Sequence, residues 1–343
     1  MTEVKKQPMD NLVFDQEGFR MSTPQAIAKY KAERLKSRAI VDLGAGIGIQ
    51  ALHFAIFSER VIAVDNDPNR LGYLRKNVET MGLHNLEVIE GDALDPKTVN
   101  MVSEVETVHS DPSRRRAKET WTFEDLSPNP VEILRMYKGG KFSFDLPPLF
   151  PRSLLKKDWE VEYISLSGEL KRMSVYVDGA KKFGRNALSL PAGERIVEDQ
   201  NMEREIRRRN KPQNWIYDID ESLFYSDLIP EFLKMNPDLS LLHEDRQKTL
   251  VTSNKFIEGP FLTKSYSVLE SAKSIYDAKK KLAEMKVGKV IIRFSMDPTK
   301  YYEERRNLER ELDGEKTAYL FKFGGILYLA ERVNEDIGLE KIK

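Results

Sequence analysis

The chain has 343 residues, of which 40% are hydrophobic and 32% are charged, and its 55 basic side chains match 55 acidic ones. This length favours two domains, the apolar runs are too short to cross a membrane, and the neutral balance gives no general signal for nucleic-acid binding. Because the chain has no cysteine, disulfides, thiolate metal sites and cysteine nucleophiles are excluded.

The four histidines, His53, His84, His109 and His243, lack the spacing of metal ligands, and we predict no metal site. The lysines near the N-terminus are not followed by an apolar stretch, as they would be in a secretory signal. We therefore expect a cytoplasmic protein without a membrane anchor.

Strand-like and helix-like segments alternate between residues 22 and 146. The Ser-Thr-Pro at residues 22–24 is typical of a helix start, with a hydroxyl cap and a proline in the first turn. Ala28, Ala32 and Leu35 then share one face of the predicted helix. The predicted strands are residues 39–43, 61–65, 86–89, 105–109 and 141–146. This alternation predicts a parallel sheet covered by helices on both faces.

The pattern changes after residue 146, where three prolines interrupt it. Residues 159–166 and 170–177 are predicted strands joined by Ser-Gly-Glu, which is typical of a hairpin. Residues 198–212 are polar and dense in charge, and we interpret them as a solvated linker between domains. The charged residues of this linker include Glu203, Arg204, Glu205, Arg207, Arg208, Arg209 and Lys211.

The segments beyond the linker predict a small α+β domain. The strands are expected at residues 215–219, 262–269 and 289–294, with two more around residues 318–332. The helices are expected at residues 221–235, 275–285 and 299–312.

The strongest functional motif is the glycine-rich turn after the first strand, formed by Gly44, Ala45, Gly46 and Gly48. Glycine lets the backbone turn sharply and approach a ligand closely. A pyrophosphate-binding turn would carry a third glycine where this chain has Ile49, so the spacing favours a ligand without phosphates.

Three carboxylates follow or end the first three strands. Asp42 can accept hydrogen bonds from an ammonium group, Asp65 from ribose hydroxyls and Asp92 from an adenine amino group. Together they suit a cationic adenosine derivative without phosphate, and S-adenosylmethionine has that charge whereas NAD and ATP do not. The remaining predicted cofactor contacts are Thr23, Asn66 and Ala93. Each acid taken alone could instead be a simple cap.

These motifs resemble those of the class I S-adenosylmethionine-dependent methyltransferases. Other stretches resemble a group of these enzymes with a THUMP-like C-terminal domain, namely residues 23–28, 32–35, 111–115, 165–171, 217–220, 259–262 and 289–343. The resemblance covers nearly the whole chain.

The resemblance implies a Rossmann-like α/β sheet of seven strands, whose last two form the hairpin at residues 159–177. It implies a methyltransferase domain with an N-terminal helical cap at residues 1–200 and a THUMP-like α+β domain at residues 212–343. It also implies an RNA-related substrate, because true THUMP domains accompany RNA-modifying enzymes.

The loop after the fourth strand begins with Asp111, Pro112, Ser113 and Arg114. The resemblance places it where amino-methylating enzymes carry Asp/Asn-Pro-Pro-Tyr/Phe, whose acid holds the target amine and whose ring stacks on the base. This chain keeps the acid and the first proline, and Arg114 could replace the ring by stacking or by binding phosphate. Asp111, Pro112 and Arg114 are therefore the catalytic candidates.

The alternative for this loop is a structural turn followed by a solvated basic run. That run would comprise Arg114, Arg115, Arg116 and Lys118.

The sequence thus favours a methyltransferase that acts on a nitrogen of an RNA nucleoside by in-line displacement, with RNA as its partner. The absence of cysteine excludes thiolate-dependent methylation at C5 of pyrimidines. Two alternatives stay open: a cofactor- or RNA-binding protein without turnover, and a methyltransferase of a protein or a small molecule.

Overall fold

The computed structural model of the chain describes residues 12–333, apart from residues 103, 115–119, 203–204 and 246–247. The chain divides after Glu198 into two compact units, residues 1–198 and 199–343. Within the described ranges, every helix is too short or too polar to cross a bilayer. The cytoplasmic location stays a prediction.

The first unit is built on strands that follow the predicted order closely. They are β1 (Ala39–Leu43), β2 (Arg60–Asp65), β3 (Leu86–Glu90), β4 (Thr107–Ser110), β5 (Ser113–Arg114), β6 (Leu126–Ser127), β7 (Lys141–Leu146), β8 (Glu160–Leu166), β9 (Glu169–Asp178), β10 (Arg185–Leu190) and β11 (Glu194–Val197). β5 and β6 form a separate ribbon, and the other nine form one sheet in the order β11-β10-β8-β9-β7-β4-β1-β2-β3.

The predicted Rossmann-like α/β fold is confirmed. β1 is parallel to β2 and β4, β2 is parallel to β3, and β4 is parallel to β7. The predicted hairpin is β8 and β9, and β9 runs antiparallel to β7. The sheet has nine strands rather than seven because β10 and β11, which the sequence did not predict, extend the edge beside β8.

Helices pack on this sheet and bury its central strands. They are α1 (Gln16–Met21), α2 (Gln25–Arg34), α3 (Ile49–Phe57), α4 (Pro68–Met81), α5 (Pro96–Met101) and α6 (Pro130–Met136). All five residues of β1 are buried, as expected for a strand covered on both faces. Asp67 caps α4, and Gly82 ends it in the left-handed conformation.

The start of α2 corrects one prediction. No hydroxyl caps this helix, because Pro24 occupies the capping position. The Ser22 hydroxyl donates to Phe19 O (2.7 Å), and the Thr23 hydroxyl accepts from Arg172 (3.3 Å). The predicted apolar face is buried against the rest of the unit, as the 0% exposure of Ala32 illustrates.

The second unit has a seven-stranded sheet in the order β13-β14-β12-β15-β18-β17-β16. Its strands are β12 (Trp215–Ile219), β13 (Ser240–Glu244), β14 (Thr249–Ser253), β15 (Leu262–Ala272), β16 (Val287–Ile292), β17 (Lys316–Phe323) and β18 (Ile326–Val333). Its helices are α7 (Glu221–Ser226), α8 (Ile229–Met235), α9 (Ile275–Glu284) and α10 (Pro298–Glu309). The sequence predicted this α+β composition but missed the hairpin of β13 and β14.

The single helix predicted at residues 221–235 is wrong. α7 ends where Asp227 adopts a left-handed φ of 59°, and α8 begins anew with a proline in its first turn. A left-handed residue cannot continue an α-helix, and proline removes one backbone donor.

The predicted linker is partly paired with the second unit. Leu241 N donates to Arg207 O (2.9 Å), and Arg209 N donates to Leu241 O (2.8 Å). The Arg208 side chain is exposed, as expected, and lies 3.4 Å from Glu244. Glu203 and Arg204 lie outside the described residues. Residues 207–209 are therefore anchored by β13 rather than free.

Candidate active site

The glycine turn between β1 and α3 requires glycine at three positions. Gly44, Gly46 and Gly48 have φ angles of 80°, 59° and 89°, which side chains rarely adopt. The amides of Gly44 and Ala45 both donate to Val64 O, at 2.9 and 3.0 Å. The turn is thereby fixed against the end of β2.

Asp65, at the end of β2, binds the same turn with its side chain. Its Oδ2 accepts from Gly46 N (2.7 Å), and its Oδ1 accepts from Asp67 N (2.9 Å). The residue is 8% exposed. Because each carboxylate oxygen has two acceptor positions, Asp65 can still accept from a neighbouring diol while it holds the glycine turn.

Asp42 is a buried carboxylate with an unsatisfied oxygen. It lies in β1 between Ala63 of β2 and His109 of β4 and is 2% exposed. Its Oδ2 has no hydrogen-bond partner among the described residues. Burial, reinforced by the negative charge of Asp111, raises the pKa of Asp42 to about 8. A cation beside this oxygen would remove the cost of burying the carboxylate.

The residues after β3 lie next to the end of β2, because Gly91 N donates to Asp65 O (3.0 Å). Asp92 is exposed and accepts from Leu94 N (2.8 Å). Ala93 is buried, and its carbonyl accepts from the Tyr137 hydroxyl (2.7 Å). Burial and then the charge of Asp92 raise the pKa of Tyr137.

The predicted cofactor residues fall into two groups. The turn, Asp42, Asp65 and the segment after β3 share the carboxyl edge of β1 to β3, as the order of parallel strands requires. Asn66 is exposed on that edge, directly after Asp65. Thr23 forms the second group: it accepts from Arg172 NH2 on β9, which also donates to Asp111, the residue whose loop packs over the glycine turn.

The Asp111 loop packs directly over the glycine turn. A Cβ at Gly44 would lie 3.8 Å from Asp111 O and 3.6 Å from Pro128 Cδ. The side chain of Asp111 is 32% exposed, and its Oδ2 accepts from Arg172 NH2 (3.2 Å). Burial raises the pKa of Asp111, and the guanidinium of Arg172 opposes that rise.

The residues that follow Asp111 form a ribbon instead of a simple turn. Pro112 is buried, and β5 pairs with β6 so that Arg114 lies opposite Leu126. Arg114 is exposed, and its guanidinium carbon lies 5.5 Å from the ring centroid of Trp121. Arg115, Arg116 and Lys118 lie outside the described residues. Trp121, which the sequence did not single out, places an aromatic ring beside this loop.

A buried ion pair lies behind the loop. Lys31 of α2 is fully buried and forms an ion pair with Asp145 at the end of β7. Asp145 Oδ1 also accepts from Ser174 Oγ (2.6 Å), and its Oδ2 lies 3.9 Å from Arg172 Nε. Burial opposes ionisation of Asp145, but Lys31 and Arg172 lower its pKa to about 2. Arg172 therefore lies between the carboxylates of Asp145 and Asp111.

His109 of β4 is fully buried near these charges. Burial, together with the charge of Lys31, lowers the pKa of His109 to about 3, so the ring is neutral at pH 7. The described residues contain no group of three or more histidines and carboxylates that could hold a metal ion.

Sequence reasoning missed Lys31, Asp145 and Arg172. One signal was present for Lys31, because it lies three residues after Ala28 on the apolar face of α2. A lysine within a buried helical face needs a buried partner.

Two of the curated proteins to which the chain is similar are named as methyltransferases. An uncharacterized S-adenosylmethionine-dependent methyltransferase of Mycobacterium tuberculosis is 25% identical over 246 residues. The match spans 68% of this chain and 66% of the relative, slightly under two thirds of its length. A probable cobalt-precorrin-6B C(15)-methyltransferase of Sulfolobus acidocaldarius is 31% identical over 83 residues, which are 23% of this chain and 42% of that protein. No protein-family model matches the chain.

A solved structure is similar over most of the chain. The crystal structure of a putative methyltransferase from Porphyromonas gingivalis W83 aligns with a TM-score of 0.72 at 17% identity, covering 93% of this chain and 83% of the other. The fold is therefore that of the class I S-adenosylmethionine-dependent methyltransferases.

Proposed function

We propose that this chain is an S-adenosylmethionine-dependent methyltransferase that acts on a nitrogen of an RNA nucleoside. Asp42 carries the cofactor assignment, because a buried carboxylate with an unsatisfied oxygen beside a glycine turn fits an ammonium group. Asp65 would hold the ribose hydroxyls, and Asp92 would accept from the adenine amine. When bound, the cofactor supplies a sulfonium methyl group that can be transferred to a nucleophile.

On the acceptor side, Asp111 would orient a nucleophilic nitrogen. A carboxylate that accepts from an N–H fixes the direction of the nitrogen lone pair. Asp111 must be ionised for this role, and its contact with Arg172 favours the ionised form. Arg172 therefore acts as a positioning residue that keeps the acceptor carboxylate charged and oriented.

The base platform would be the ribbon of β5 and β6. Arg114 and Trp121 place a guanidinium and an indole beside the Asp111 loop. Trp121 is buried, so the base contact falls to the exposed Arg114, whose guanidinium can stack on a nucleobase or bind phosphate. Arg114, supported by the Trp121 ring, would take the place of the aromatic residue that amino-methylating enzymes carry after their Asp-Pro-Pro motif.

The second unit would contribute RNA binding as a THUMP-like domain at residues 212–343. This assignment rests on the sequence resemblance of residues 217–220, 259–262 and 289–343.

Calorimetry with S-adenosylmethionine tests the cofactor assignment. Wild-type protein should bind it, Asp65→Ala should weaken binding at least tenfold, and Lys29→Met should match the wild type because Lys29 is an exposed residue of α2. Binding that is absent, or unchanged in Asp65→Ala, would refute the assignment.

Transfer from radiolabelled cofactor to RNA fractions tests the activity. Label in RNA that disappears in Asp111→Ala, while cofactor affinity is kept, would support the proposal. Label found only in protein or small molecules would refute the RNA substrate. Cofactor binding without any transfer would identify a binding protein without turnover.

A further inference from the structure

The second unit contains a cavity of about 460 Å³ that the proposed methyl transfer does not use. It is lined mainly by the ends of β13, β14, β16 and β17, and its size is typical of small-molecule sites. The lining residues that matter here are His243, Lys248, Arg293, Phe294, Lys322 and Phe323. The lining thus combines cations with aromatic rings.

Lys248 is a partly buried cation that forms no salt bridge with a described residue. Its Nζ donates to Arg293 O (2.8 Å) and lies 4.9 Å from the ring centroid of Phe321. No described carboxylate lies within ion-pair distance of this ammonium. Burial, followed by the positive charge of Arg293, lowers the pKa of Lys248 to about 8. The negative charges of Asp218 and Asp245 act in the opposite direction. An anion in the cavity would relieve this destabilised cation.

The nearby acids are already engaged by other groups. Both oxygens of Asp218 accept from Arg293 NH2, at 2.7 and 2.6 Å, and Lys264 lies 3.9 Å from the same carboxylate. Asp245 accepts from Lys248 N (2.9 Å) and pairs with His243 Nε2 (2.8 Å). Asp245 therefore orients the imidazole and closes the hairpin turn instead of neutralising the Lys248 ammonium.

Arg293 is fixed at the wall of the cavity. Its NH2 is held by both oxygens of Asp218, so the guanidinium has one orientation. Its Nε, which has no hydrogen-bond partner among the described residues, is closed off from solvent and does not reach a ligand in the cavity.

The aromatic side of the cavity is adjacent to a third cation. Phe294 and Phe323 line the cavity, and Lys322 Nζ lies 5.8 Å from the Phe294 ring centroid. Flat rings bind well against phenylalanine side chains, and the exposed Lys322 places positive charge beside that surface.

We propose that this cavity binds a phosphate monoester attached to an aromatic ring, which is the chemistry of a mononucleotide. The phosphate would be held by Lys248 and Lys322, and the ring would pack on Phe294 and Phe323. This site is separate from the methyl-transfer proposal and does not depend on it. Its ligand is either a free mononucleotide or the terminal nucleotide of a nucleic-acid strand.

Calorimetry on the full chain tests the site with cytidine monophosphate, inorganic phosphate and cytidine as probes. We expect cytidine monophosphate to bind most tightly, inorganic phosphate more weakly and cytidine most weakly. Lys248→Met and Lys322→Ala should each lower the affinity for cytidine monophosphate about tenfold, which is the loss expected for one charged hydrogen bond. Lys300→Ala, an exposed residue of α10, is the matched control.

The pH dependence provides a second readout. Affinity should fall as the pH rises through about 8, because Lys248 loses its proton there. It should also fall as the pH drops below about 6, where the phosphate monoester dianion takes up one proton and becomes a monoanion. The fall above pH 8 should be absent in Lys248→Met.

The outcomes separate the possibilities. Tighter binding of a short oligonucleotide with a terminal phosphate than of cytidine monophosphate would identify a strand end as the ligand, and equal binding would identify the free nucleotide. No heat with cytidine monophosphate at millimolar concentration, or equal affinities in wild type, Lys248→Met and Lys322→Ala, would overturn the proposal. Circular dichroism and the Lys300→Ala control establish that a loss of binding is not a loss of folding.

Discussion

Replacing Lys31 by methionine should destabilise the first unit strongly. The lysine and its partner Asp145 are 0% and 2% exposed, so the substitution leaves a buried carboxylate without its closest cation. The pKa of Asp145 is lowered to about 2 in the folded chain, which corresponds to a stabilisation on the order of 2 kcal/mol. Burial opposes this shift, so removing the cation should cost more than this stabilisation. We expect the free energy of unfolding to fall by about 3–5 kcal/mol at pH 7.

The measurement needs a signal from the first unit alone. The chain has three tryptophans, and only Trp215 lies in the second unit. Urea unfolding followed by tryptophan fluorescence in a Trp215→Phe background therefore reports on the first unit. Lys29→Met is the matched control, because Lys29 lies on the same helix in a surface pair with Glu33 and should change stability by less than about 1 kcal/mol.

A double-mutant cycle and the pH dependence test the cause. In an Asp145→Asn background, Lys31→Met should cost at least about 2 kcal/mol less than in the wild type. Because the folded-state pKa of Asp145 lies below its unfolded value, the stabilisation is present above about pH 4 and is lost as the pH falls toward 2. Equal costs for Lys31→Met and Lys29→Met, or no coupling to position 145, would refute the reasoning.

Further predictions concern the proposed cofactor site and its turn. Asp65→Ala should lower the affinity for S-adenosylmethionine at least tenfold, as measured by calorimetry. Asp111→Asn should abolish methyl transfer while the Kd for the cofactor changes less than about threefold. Because the pKa of Asp42 is about 8, pairing with an ammonium should release close to one proton at pH 7 and affinity should rise with pH up to about 8. Calorimetry in two buffers of different ionisation enthalpy measures this proton, and Asp42→Asn should release none. Gly48→Ala should cost roughly 2–4 kcal/mol, since its Cβ would lie 2.1 Å from a leucine side chain of α4; Gly46→Ala, which meets no atom within 4 Å, should cost about 1 kcal/mol. Thermal unfolding would distinguish these two costs.

The sequence predicted those parts of the site that depend on chain order. Glycines after β1 and acids at the ends of β2 and β3 had to meet, because parallel strands in this order share one carboxyl edge. Asp42, Gly46 and Asp65 are accordingly close together, and the amide of Gly46 binds Asp65 directly. A local motif combined with a topological rule was sufficient here.

Contacts between distant segments could not be predicted in this way. Arg172 joins Thr23 to Asp111 across 149 and 61 residues of sequence, and neither spacing follows from a local pattern. β10 and β11 were also missed, because residues 185–197 carry no strong alternation and are held by the edge of β8. In these places tertiary packing decides what local preference leaves open.

The distribution of charge explains why the proposed cofactor should be positive and free of phosphate. The carboxylates of the site and its surroundings are Asp42, Asp65, Asp111 and Asp145, and the buried cations beside them are Lys31 and Arg172. Lys31 is engaged by Asp145 and Arg172 by Asp111, while Asp65 is stabilised by two backbone amides. Asp42 is left with an unsatisfied oxygen and a raised pKa. A phosphate would add negative charge beside carboxylates, whereas an ammonium or a sulfonium would lower the cost of ionising Asp42. The preference for such a cofactor is therefore a property of the whole charge arrangement, and the ionisation state of Asp42 is its most sensitive measure.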